Sequence, residues 1–114
     1  VLNRTTDGIV EPRRFTMPFL DFAALAGQLP TPWKSSPVGH VGPAQLKVLR
    51  MDEQAYAEET YDYNEGLLVI SGCLRLSIGK QTVEVSAGQM YLVEAGIAHG
   101  VLAGSHGTLL IIDV

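Results

Sequence analysis

From Ala44 to the end of the chain, apolar and polar residues exchange places in short runs broken by glycine. Leu46-Lys47-Val48-Leu49-Arg50-Met51 partly alternates, as a half-buried strand does, and Tyr56 to Tyr61 follows as a second strand. Leu67-Leu68-Val69-Ile70 is continuously apolar, and Ser71-Gly72 then reads as a turn. Leu74, Leu76 and Ile78 alternate with Cys73, Arg75 and Ser77, a period of two that puts the aliphatic side chains on one face. Gly79-Lys80 makes a tight turn, Thr82 to Val85 alternates again, and Ala87-Gly88 leads into Met90 to Val93. A loop from Glu94 to Ala98 precedes a strand beginning at His99 and running to Leu102, and Gly104 to Gly107 turns into Leu109 to Ile112. About eight short, closely spaced strands with almost no helix predict an all-β antiparallel sandwich or barrel.

Before Ala44 the pattern differs. Val1 to Met17 is polar and irregular, with a turn expected at Thr5 to Gly8 and solvated arginines at Arg13 and Arg14. Asp21 is placed to cap a short helix over Phe22 to Leu29, which Pro30 stops. From Pro30 to Pro43 four prolines and two glycines predict an arm, with Trp33 laid against an apolar surface. Residues 1–43 thus read as an N-terminal arm with a helix, and 44–114 as the barrel, within one structural domain. The runs Leu67 to Ile70 and Leu109 to Ile112 are apolar on both faces, so something must cover the outer side. The arm can do so, as can a second subunit, and a homodimer is the favoured expectation.

Composition narrows the function classes. A formal net charge of −4 gives no general attraction to nucleic acid or to an anionic membrane. No apolar run approaches the roughly 20 residues that span a bilayer. One cysteine, Cys73, excludes an internal disulfide and leans toward a cytoplasmic location. Phosphate-binding glycine loops, nucleophile elbows and paired CxxC motifs are all missing from the sequence.

The chemistry-bearing residues stand at the two ends of the stretch from Glu59 to His99. Glu65 is followed by six residues and Gly72; Gly88, Gly96 and His99 recur at spacings of eight and three. This pattern resembles the two motifs of the cupin superfamily, small β-barrels of jelly-roll type. The first family motif has two histidines one residue apart, then glutamate, six residues and glycine. The second runs from glycine through a proline and a second glycine to a histidine. Glu65, Gly72, Gly88, Gly96 and His99 match, whereas Glu59 and Tyr61 occupy the two histidine positions and Glu94 the proline position. The resemblance covers about Leu46 to Val114 and implies an antiparallel jelly-roll, or double-stranded β-helix, barrel. It also implies a divalent metal, Fe, Mn, Zn or Ni, held by Glu59, Tyr61, Glu65 and His99; Glu65 and His99 carry over by residue type, the other two by position.

The residues can be weighed without the resemblance. Glu59 and Tyr61, two apart on a strand, point to one face, and Val101 and Ala103 share the face of His99. Two carboxylates, a phenol and an imidazole meeting in a barrel interior can hold a weakly bound cation. A phenol with pKa near ~10 must lose its proton to ligate strongly, so the site is weaker than one with three imidazoles. Without metal, paired carboxylates with His99 or Tyr61 as proton donor suit acid–base chemistry or plain ligand binding. Plainer roles compete: His99 bonding a backbone carbonyl, Glu65 and Glu59 in a solvated acidic run, Tyr61 packing at the barrel mouth. His40 is a possible extra ligand from a loop, Glu94 and His106 read as surface, and Cys73 as a packed thiol. Three functions follow: a metal-dependent oxygenase or isomerase, a metal-free small-molecule pocket, and a sensory or regulatory module. A small-molecule pocket with a possible weakened metal site ranks first, and its catalytic power is open.

Overall fold

The computed structural model describes Leu2 and residues 19–114; the turn at Thr5 to Gly8 and the arginines Arg13 and Arg14 lie outside the described residues. One helix and eight strands follow in order: α1 (Phe22–Gly27), β1 (Ser36–Val41), β2 (Ala44–Asp52), β3 (Tyr56–Glu59), β4 (Glu65–Ile78), β5 (Gln81–Ser86), β6 (Met90–Val93), β7 (His99–Val101) and β8 (His106–Asp113). The pairing order is β1-β2-β8-β4-β7-β3, with β5 and β6 also paired to β4, and every pairing is antiparallel. This is the predicted all-β antiparallel jelly roll.

Three elements differ from the sequence reading. The proline-rich arm contains β1, which forms a hairpin with β2 through Gly42 at φ 56°. The prolines are compatible because β1 is an edge strand, where a missing N–H breaks no inner ladder. The helix ends at Gly27, two residues short of the predicted Leu29. Six residues are too few for a helix stable alone, so packing sustains it, with the Asp21 side chain accepting a 3.1 Å hydrogen bond from the Ala24 N–H. The largest difference is at Ser71-Gly72, which is no turn: β4 runs through it for 14 residues.

That continuity organises the barrel. The first part of β4 pairs with β6 and β8, and the part beyond Gly72 pairs with β5 and β7. A register irregularity between Val69 and Ser71 marks the crossing. Before it the odd positions Leu67 and Val69 face the interior; after it the even positions Leu74 and Leu76 do. One extra residue switches the inward parity and bends the strand from one sheet into the other.

Two apolar clusters result. The interior one gathers Leu49, Met51, Leu67, Val69, Leu74, Leu76, Val85, Val93, Val101, Leu109 and Ile111, with Leu2 and Trp33 joining from outside the barrel strands. Trp33 is fully buried against Tyr56, ring centroids 5.3 Å apart, as its placement in the arm predicts. The outer cluster sets Val48, Leu110, Leu46, Leu68, Ile70 and Ile112 beneath Leu20, Phe22, Leu25, Leu29 and Val38. The helix and β1 therefore supply cover for the doubly apolar strands. Arg50 ties this layer down by donating a 3.2 Å hydrogen bond to the Leu29 carbonyl.

Candidate functional site

At one end of the interior the aliphatic filling gives way to charge. On β4 the inward row Val69, Leu67 ends in Glu65; on β8 the row Leu109, Ile111 ends in Asp113; on β2 Met51 and Leu49 are followed by Lys47. All three charged side chains are buried, Glu65 completely. His99 enters from β7 at 2% exposure. A carboxylate with no water around it must find compensation, and its neighbours provide it.

His99 is fixed from both sides. Its Nδ1 stands 3.1 Å from the Ile97 carbonyl, and Nε2 stands 3.5 Å from Glu65 Oε1. The carbonyl requires a proton on Nδ1, so a neutral ring would turn a lone pair toward a carboxylate. Charge on the ring removes that conflict. Accordingly the Glu65 carboxylate raises the imidazole pKa above its ordinary value, against the opposing cost of burial. At 3.5 Å the contact is an ion pair rather than a direct hydrogen bond, and neither Glu65 oxygen has a hydrogen-bond partner.

The other two expected residues join this pair. Glu59 lies opposite His99 across the β3–β7 ladder. Tyr61 stands beyond the end of β3, so the shared-face argument does not place it. Its ring nevertheless meets His99 edge-on at 5.4 Å, and its hydroxyl donates a 2.8 Å hydrogen bond to Glu59 Oε1. Of the residues expected to share the face of His99, Val101 is buried with it, whereas Ala103 lies past the end of β7 and is exposed. His40 and Glu94 are exposed, as is His106 at the start of β8.

Tyr63, Lys47 and Asp113 complete the site and were not foreseen. Tyr63 stacks on Tyr61 with centroids 5.2 Å apart and planes at 9°. Burial, followed by the charges of Glu65, Asp113 and Asp62, pushes its pKa up to about 12, so the phenol stays neutral and able to donate. Lys47 Nζ lies 2.8 Å from Asp113 Oδ2 in a buried ion pair. Parity offered a signal: Lys47 is in step with Leu49 and Met51, and Asp113 with Leu109 and Ile111.

The donor set does not fit a divalent cation. The elements set one imidazole nitrogen 3.5 Å from one Glu65 oxygen, while the Glu59 carboxylate takes the Tyr61 phenol and the Asp113 carboxylate faces the Lys47 ammonium. Among the described residues no group of three or more His, Cys, Asp or Glu side chains is placed to hold a metal ion. The ion pair itself yields a pH prediction. A histidine whose folded pKa is raised contributes stability below its unfolded value of about 6.5. That contribution fades as pH rises through the higher folded value. Urea unfolding of the parent should show lower stability at pH ~8.5 than at pH ~6, and His99→Gln should flatten this slope.

Comparison with known proteins agrees with the architecture. Residues 48–114 match the family model of the cupin domain, which spans more than half of the chain. The protein belongs to the cupin domain family. Among solved structures it resembles a cupin-2 domain containing protein from Shewanella frigidimarina, with a TM-score of 0.75 and 21% identity, covering 82% of this chain and 91% of that one. A protein from Neisseria meningitidis superposes with a TM-score of 0.73 at 13% identity, over 84% of this chain and 98% of that one. A cupin superfamily protein from Desulfitobacterium hafniense gives 0.67 at 17% identity, over 83% and 88%. At these identities the likeness is one of fold. No curated protein matches the chain.

Proposed function

We propose that the polar end of the barrel is a small-molecule pocket that works without a resident metal. The observation that carries this reading is Glu65: a fully buried carboxylate with neither oxygen hydrogen-bonded. Leaving such acceptors unpaired costs about 1–3 kcal/mol or more, an expense a domain carries where a ligand can satisfy them. His99 Nε2, which has no hydrogen-bond partner, adds a donor, and the stacked Tyr61–Tyr63 pair adds a flat aromatic wall. If the pocket catalyses, Glu65 and His99 are the acid–base pair, which suits an isomerase-type proton transfer. The metal-dependent oxygenase or isomerase is the weaker reading, since among the described residues no three His, Cys, Asp or Glu side chains are grouped to hold a metal ion.

A thermal-shift screen of small polar metabolites and divalent ions tests this. A ligand present at about 100 times its Kd should raise the melting temperature by on the order of 10 °C. Glu65→Gln should abolish that rise, and Mn²⁺ or Zn²⁺ should give no His99-dependent rise. A metal-induced shift lost in His99→Ala would favour the metal centre instead.

The homodimer is also a proposal. Met90 and Leu92 expose about half of their surfaces, at 48% and 55%, on the outer face of β6 beside Leu68 of β4. Exposed aliphatic side chains on a sheet face favour a second copy as cover. Light scattering at micromolar concentration should give twice the mass of 12.3 kDa; the monomer mass would refute it.

A further inference from the structure

The charged end of the interior has a particular order. The β4–β8 register pairs Gly66 with Ile112 and Leu67 with Ile111, so Glu65 and Asp113 come next on these two adjacent strands. The β2–β8 register places Lys47 diagonally from Asp113, and their charged atoms meet at 2.8 Å. Two carboxylates therefore end the inward rows of adjacent strands, each buried to 3% exposure or less. Tyr63 reports the same proximity, since both carboxylates oppose its ionisation. Both oxygens of Glu65 lack a hydrogen-bond partner, whereas Asp113 Oδ2 faces the Lys47 ammonium.

We propose that this acceptor row selects the ligand class: a small, neutral or cationic molecule bearing several O–H or N–H donors, a polyol or amino polyol, and not a carboxylate or phosphate. The inference rests on the pocket reading above and adds Lys47 and Asp113 to it as specificity-determining residues. Among the described residues the two buried cations each face a carboxylate, Lys47 with Asp113 and His99 with Glu65. Glu59 at the mouth adds a further negative charge beside His99. An entering anion thus meets acceptors already facing their cations and gains no unmatched charge, while it adds repulsion in a poorly screened interior. Donor hydrogens, by contrast, convert unpaired acceptors into charge-assisted hydrogen bonds. A ligand ammonium group adds attraction to the same oxygens.

Matched probes separate these cases at two sizes. Glycerol, serinol and glycerate differ in charge on a three-carbon frame; sorbitol, glucamine and gluconate do so on six carbons. Calorimetric titration of the intact protein should show one frame binding, with the acid at least tenfold weaker than the polyol and the amine. Asp113→Asn should weaken the amine at least tenfold. The isosteric pair Lys47→Gln with Asp113→Asn, which leaves no buried charge unmatched, should do the same while remaining folded. Preferential binding of the acid, or amine binding unchanged in the double variant, overturns the donor-rich class and leaves the pocket standing. If no probe binds and the metabolite screen yields no Glu65-dependent stabiliser, the pocket reading falls and this inference with it.

Discussion

Lys47→Met is expected to cost about 3–5 kcal/mol of folding stability, the usual result of deleting one member of a buried ion pair. With a domain of this size stable by only about 5–15 kcal/mol, that is a large share of the whole. The cause is specific. Without the ammonium, Asp113 is a buried carboxylate that has lost the cation facing it. It is then driven to take up a proton, so the loss should shrink as pH falls toward about 5. Lys47→Met combined with Asp113→Leu should recover most of the loss, since well-packed apolar replacements of a buried pair are commonly neutral or stabilising. Urea unfolding of the two variants beside the parent checks it; equal losses in the single and double variants would show that packing of the lysine stem, not its charge, is what matters.

The second large effect belongs to two glycines. Gly72 and Gly107 face each other across β4 and β8, with φ of 79° and 102°. A Cβ on Gly72 would lie 2.0 Å from the His106 carbonyl oxygen, and one on Gly107 would lie 2.0 Å from that of Ser71. Both obstacles are backbone and cannot rotate away. Left-handed strain and overpacking each cost on the order of 1–3 kcal/mol, so either alanine variant should lose roughly 3–5 kcal/mol or fail to fold. Gly79→Ala is the control: φ is 59° but nothing lies within 4 Å of the added carbon, so strain alone, about 1–2 kcal/mol, should appear. Comparable losses at all three sites would mean that backbone conformation, not close approach, governs β4 and β8.

These two cases show what a single sequence makes legible. The strands were readable because period-two alternation and glycine punctuation are local signals. Ser71-Gly72 reads from the sequence as a turn, because a glycine after an apolar run resembles one; only long-range pairing makes Gly72 the close crossing of two strands. Lys47 and Asp113 were missed for the opposite reason. A charged residue in a strand normally marks the wet face, and only a partner some 66 positions away makes an inward lysine tolerable. Glu59, Tyr61, Glu65 and His99 do converge, as motif spacing implied. Spacing anticipated that these four side chains come together; residue type, with Glu59 and Tyr61 where histidines would stand, is what the proposed metal-free chemistry rests on.

The central claim is that a ligand enters this end of the barrel and meets Glu65 and His99. The most direct test follows the imidazole nitrogens of the protein's three histidines by ¹⁵N NMR while the strongest stabiliser from the screen is added. His40 and His106 are exposed and serve as internal references. The account predicts a saturable shift of the His99 Nε2 signal, absent in Glu65→Gln, with the other two rings unmoved. Tight binding that leaves the His99 signals unchanged would place the ligand elsewhere and contradict it.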